Sequence, residues 1–360
     1  MRPAGGVLHW RSWVTPTGAP ITWRPLLGVL AGAVLAATAA LVVHGRERPG
    51  AIAIAAVAGA LVAAAGAGAP AAVRRRVAVG VAVAVVGAEL LAVAVGGHPW
   101  WAGLAMAAVA VFTSVGAGAG PVGAAFGLAA TLAYVFAVVL GKAFGPAVEG
   151  WDPLGTGAPL GAVVGLVVVI VISLVDRPEQ PFAGPVAPWR SMWRSLWSVD
   201  EHVHDGLRRA IPLAGLVAGY EATGNHDLLW VLIAALAVLL PTGKSPIELA
   251  LLRVVATVLA VALLVPVSAL VPPLVLVAVA GVLVVVGFVV KPALPMIATV
   301  ATTAGAVIAV GAPAGRIGDL AWVRLLDTVV GAAIAIAFTY LLWPRDRPDE
   351  DVAPDPGSAG

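Results

Sequence analysis

Twelve apolar segments dominate this chain, and turns rich in Pro, Gly and Arg separate many of them. They fall at about 25–43, 50–69, 77–96, 100–118, 121–140 and 159–175, then at about 209–221, 228–241, 248–270, 272–290, 293–311 and 321–343. An α-helix rises 1.5 Å per residue, so about 20 apolar residues cross a hydrocarbon core about 30 Å thick. The apolar runs are continuous and do not alternate, which argues against strands. Only 11% of the residues are charged, less than half the share found in soluble domains. The expected fold is an all-α polytopic membrane protein of about twelve transmembrane helices. Segments seven and eight are short and admit two spans or a re-entrant pair. The first 24 residues carry Trp10, Trp13 and Trp23 beside Arg2, Arg11 and Arg24, with no apolar core of signal-peptide type, so the first helix is expected to be retained.

Basic residues orient the chain. With the N-terminus inside, 16 Lys and Arg fall on the cytoplasmic side and 5 on the other. That asymmetry predicts a protein of the cell membrane with both termini cytoplasmic. The two sets of six segments also resemble each other. PLLG at 25–28 matches PLAG at 212–215, and the turn ending in Arg76 matches the one ending in Arg253. VVG at 163–165 and at 329–331 each precede a proline by the same distance. An even number of spans per copy makes the copies parallel, related by an axis along the membrane normal.

The expected organisation is a cytoplasmic segment 1–23, a six-helix repeat 24–176, a cytoplasmic link 177–206, a second six-helix repeat 207–344 and a disordered tail 345–360. Within the link, Trp189, Met192, Trp193, Leu196 and Trp197 share one helical face and Arg190 and Arg194 the other, the pattern of an interfacial helix on the lipid bilayer. Ser198 and Glu201 form a capping box that opens the seventh helix.

Several function classes are excluded by what the motifs lack. Gly243-Lys244-Ser245 looks like the end of a phosphate-binding loop, but the position that needs the first glycine is Val238. No zinc-protease or serine-hydrolase motif is present, the chain has no cysteine, and His202 and His204 lie on different helical faces. No enzyme activity, metal, cofactor or nucleic-acid partner is expected.

Trp230 early in the eighth segment is followed by LLPTGKSP and then by Arg253-x-x-x-Thr257. A second such pattern, Arg324-x-x-x-Thr328-x-x-Gly331, leads into LLWPR at 341–345. On these residues the stretch 205–344 resembles the fusaric acid resistance family of integral membrane transporters, which includes aromatic acid exporters. The first half resembles it only in its six-span layout and in the arginines at 74–76. The resemblance implies efflux of small organic acids, often aromatic, driven by protons. The distantly similar plant malate channels imply passive anion conduction instead. A non-transporting scaffold or lipid-handling protein is the third class, suggested by the interfacial tryptophans alone.

An organic anion pathway needs cationic donors, and arginine offers a planar fork that pairs with a carboxylate. Arg253 and Arg324 are the leading candidates, with Thr257, Thr328 and Trp230 beside them and Arg76 and Arg209 as counterparts elsewhere. For Arg253, Arg76 and Arg209 a role as positive-inside anchors is the competing reading. Glu89 in mid-segment must be protonated, paired or facing water, and is a candidate for proton coupling. Asp327, three residues after Arg324, is placed for an ion pair or for the same proton role. Gly123 and Gly127 fit a close-packing face between the fourth and fifth segments, and Pro and Gly interruptions at 25–32 and 212–219 point to a midplane site.

Overall fold

The computed structural model describes residues 23–45, 48–65, 71–144, 157–175, 192–194, 201–239, 245–291, 293–311 and 316–341. Twelve long helices are found among them and no strand. They are α1 (Arg24–His44), α2 (Pro49–Ala64), α3 (Ala71–Val95), α4 (Pro99–Gly118), α5 (Pro121–Phe144) and α6 (Ala158–Val175), then α7 (Glu201–Thr223), α8 (His226–Leu239), α9 (Pro246–Leu270), α10 (Pro273–Val290), α11 (Pro295–Gly311) and α12 (Ile317–Leu341). Seven of the described helices, α1, α3, α4, α5, α6, α9 and α12, are long and apolar enough to cross a membrane, and α2, α8 and α11 are shorter apolar helices. A lipid core offers backbone groups no hydrogen bonds, so only helices that satisfy their own can stand there.

Prolines mark where many helices begin. Pro25, Pro49, Pro99, Pro246 and Pro273 occupy the first turns of α1, α2, α4, α9 and α10, where a missing N–H costs nothing. Tight turns between α3 and α4 and between α7 and α8 use Gly97 and Gly224 at φ 78° and 65°, a region that side chains disfavour.

Small residues set the packing. Gly32 and Gly59 face each other across α1 and α2, and a Cβ on Gly32 would lie 2.5 Å from the Gly59 carbonyl oxygen. Gly116 and Gly123 do the same across α4 and α5, where Gly127 also rests on Thr113. Such contacts bring backbones together and replace the hydrophobic drive that lipid cannot supply. The small-residue face expected at Gly123 and Gly127 is therefore present.

Helix partners recur between the halves. In the first, α1 packs on α2 and α6, α2 on α6, α3 on α5 and α6, and α4 on α5. In the second, α7 packs on α8 and α12, α8 on α12, α9 on α11 and α12, and α10 on α11. The two VVG triplets take equivalent seats: Gly165 meets Gly59 and Val62 of α2, and Gly331 meets Val231 and Ala234 of α8.

The halves meet mainly along α4 and α7. Gly103 meets Ala214 and Ala218, Gly206 meets Val111, and Gly118 meets His202, so these helices run antiparallel in contact over most of their length. By contrast α1 touches α10 only glancingly.

Two expectations change, and one is filled out. The seventh helix starts at Glu201, where its capping pair places it, and continues through Pro212 to Thr223, beyond its short apolar segment. Its charged first turns are accommodated because Arg208 pairs with Asp205 at 3.2 Å and Arg209 donates to Ser114 Oγ of α4 at 3.0 Å. The Pro and Gly interruptions do not break helices either: α1 and α7 are continuous, and Gly28 and Gly32 pack on α6 and α2. In the link, Met192 is buried against Val115 and Ala119 while Trp193 is exposed, so these neighbours do not share one lipid-facing surface. The remaining link residues from 177 to 200, the turn 240–244, and the segments 1–22 and 342–360 lie outside the described residues.

Candidate functional site

Arg324 lies two turns into α12 and is buried, 8% exposed. Its guanidinium stacks 3.6 Å from the centre of the Trp230 ring on α8. That approach is possible because α12 lies close on α8 two turns further on, where a Cβ on Gly331 would come within 2.6 Å of the Val231 carbonyl oxygen. Thr328 donates to the Arg324 carbonyl oxygen at 2.7 Å and turns its hydroxyl inward. Asp327 is buried beside it.

The stack leaves the arginine unfinished. Buried Nε and Nη1 of Arg324 have no hydrogen-bond partner, and neither has Oδ2 of Asp327. No ion pair joins Arg324 and Asp327 within 4.0 Å among the described residues. The ion pair that the three-residue spacing permits is replaced by the stack on Trp230. A desolvated cation–π contact contributes about 2 kcal/mol. Each buried donor left open costs about 1–3 kcal/mol, so the site as it stands favours an anion that accepts from both.

Arg253, half-buried on α9, lies within electrostatic reach of Arg324 and also of Lys291 in the turn between α10 and α11. Thr257, one turn further along α9, is buried. Asp227 at the start of α8 faces Asp327 electrostatically. The structure thus brings Trp230, Arg324, Asp327 and Thr328 together and sets Arg253 in their field. It leaves two candidates elsewhere. Arg76 is exposed in the first turns of α3. Arg209 joins Ser114 and Asp205 at the seam between the halves.

In the first half Glu89 is 1% exposed and its Oε2 has no partner. Sequence reading passed over a third group, Tyr134, Tyr220 and Glu221, all buried near the junction of α4, α5 and α7. Tyr134 donates to the Ala102 carbonyl oxygen at 2.7 Å, while the Tyr220 hydroxyl has no partner. The one legible signal was the acidic Glu221 closing an apolar run. A small cavity nearby is lined by Thr113, Thr131 and Arg209. No cluster of metal-ligating residues occurs among the described residues.

Residues 213–338 match the family model described as fusaric acid resistance protein-like. The match bears out the resemblance over its own stretch, about a third of the chain, from within α7 to near the end of α12. Trp230, Arg253, Arg324, Asp327 and Thr328 all lie inside it; Glu89 and the α4 face of the seam lie outside. No curated protein and no solved structure matches the chain. The matched segment and the apolar helices together describe a multi-pass, transporter-like membrane protein.

Proposed function

We propose that the protein is a secondary transporter that exports small organic carboxylates, aromatic ones included, across the cell membrane in exchange for protons. The observation that carries this reading is the buried Arg324 guanidinium, stacked on Trp230 with Nε and Nη1 open. A carboxylate accepts from both nitrogens in the plane of the fork, and the indole beside them offers a flat apolar surface for a ring. Arg253 and Lys291 extend the positive field from that seat towards the turn after α10 and draw an anion along it. The recurring helix partners support two parallel six-helix repeats, and the 16-to-5 distribution of basic residues supports cytoplasmic termini.

The cations Arg324, Arg253 and Lys291 also suit a passive anion channel. Purified protein in vesicles, loaded with unlabelled phthalate and given labelled phthalate outside, separates these readings. Phthalate is doubly ionised at neutral pH and does not leak across lipid as an acid. A transporter exchanges it and accumulates it when a proton gradient is imposed. A channel passes it with a current and gains nothing from the gradient, and a scaffold passes none.

A further inference from the structure

The repeat relation can be carried down to single residues. Gly165 and Gly331 occupy equivalent seats, and Gly59 with Val62 corresponds to Val231 with Ala234. With that register Arg324 corresponds to Ala158, Thr328 to Ala162 and Trp230 to Ala58, all three of them buried alanines. Asp327 and Asp227 correspond to Gly161 and Ala55, which touch each other, as the two aspartates feel each other. The anion seat therefore exists once, in the second half. The reverse holds for Glu89. Matching the Arg76 and Arg253 turns places Glu89 opposite Pro266, inside α9. Among the described residues Glu89 is the buried charged residue of the first half, while Glu221, Arg324 and Asp327 are buried in the second.

Glu89 has no counter-charge among the described residues. The helices packed on α3 are α2, α4, α5 and α6. Of these, α2, α4 and α6 carry no titratable side chain. On α5 Tyr134 donates to Ala102, and Lys142 has a side chain outside the described residues. His98 is exposed in the turn before α4, and Arg74, Arg75 and Arg76 lie at the other end of α3 itself. An ionised carboxylate in such a place is strongly disfavoured, so the group sits there as the acid.

We infer that the two repeats have divided the ions between them: Glu89 on α3 is the proton seat, and Arg324 with Trp230 on α12 and α8 is the anion seat. The inference rests on the transporter reading. While Oε2 stays buried the proton is held on Glu89. Its release leaves an unpaired carboxylate, so it requires a state in which α3 presents Oε2 to water, and reprotonation from the opposite side returns the group to its buried place. Asp327 feels its burial, Asp227 and Arg324 together, so it is not an isolated acid of this kind.

The test has two arms, both on the full chain in vesicles. In the first, dicyclohexylcarbodiimide, which enters lipid and reacts with protonated carboxyl groups, is compared with a water-soluble carbodiimide by peptide mass mapping. Glu89 is expected to be labelled by the apolar reagent alone, and still at pH 8, where a solvated carboxyl has ionised. In the second, Glu89→Gln, a near-isosteric mimic of the acid that keeps the protein monodisperse in detergent, is expected to lose gradient-driven accumulation of phthalate at least tenfold. Glu89→Asp retains accumulation with a displaced pH dependence. Arg324→Lys loses exchange and accumulation together. Accumulation that survives Glu89→Gln, or an unlabelled Glu89, overturns the assignment and leaves the anion reading in place. A parent that exchanges no phthalate overturns the anion reading, and the labelling arm then still decides whether Glu89 is a buried acid.

Discussion

Arg324→Lys isolates what the fork contributes. Lysine keeps the positive charge and can lie against Trp230, but its ammonium is a point donor and cannot hold both oxygens of a carboxylate in one plane. The structure shows two open donors on Arg324, Nε and Nη1. Losing one charge-assisted hydrogen bond costs about 1.5–3 kcal/mol, which raises KM for phthalate roughly 10- to 150-fold at 1.4 kcal/mol per decade. The measurement is the initial exchange rate in vesicles over a range of external phthalate, with monodispersity in detergent confirming that the variant folds. Trp230→Leu keeps an apolar contact but removes the π face, a loss of about 0.5–2 kcal/mol in the same parameter. Because Arg324 stacks on this ring at 3.6 Å, the double variant should cost less than the sum of the singles. A well-folded Arg324→Lys with KM within threefold of the parent refutes the assignment.

Arg253→Lys should insert normally yet transport several-fold more slowly, while Lys244→Ala changes exchange little; equal rates for Arg253→Lys and the parent would make Arg253 an anchor only. Single cysteines at Ser191 and Ser358 should be closed to membrane-impermeant thiol reagents in intact cells, and labelling at both without lysis would reverse the orientation. Gly331→Leu forces bulk onto the α8 backbone and should destabilise the protein by about 1–3 kcal/mol, whereas Gly215→Ala, with open space at its Cβ, should be near neutral. Thermal unfolding followed in detergent distinguishes them, and a Gly331→Leu protein as stable as the parent would remove the close α8–α12 contact.

The helices were legible because lipid demands long apolar runs and because prolines mark many of their starts. The start of α7 at Glu201 was legible in its capping pair, but the cover over Asp205, Arg208 and Arg209 was not, since it depends on α4 lying against them. The close glycine contacts could be anticipated from their spacing along one helix, but not the partner each glycine meets. At the site, sequence order pointed to Arg324, Thr328 and Trp230 separately. That the guanidinium lies on the indole, and not on Asp327 three residues away, depends on how α8 and α12 are set side by side. Glu221 and its tyrosines escaped notice because they come together only at the junction of the halves.

The uneven contact between the halves has a mechanical consequence. The long antiparallel contact of α4 and α7 acts as a spine, while the edge where α1 only grazes α10 is free to part. Two bodies joined along one line swing like the covers of a book. Motion about that line leaves Arg209 and Ser114 at rest near the axis and gives the largest displacement to α1 and α10. Any opening between the halves would begin along the free edge, between α1 and α10.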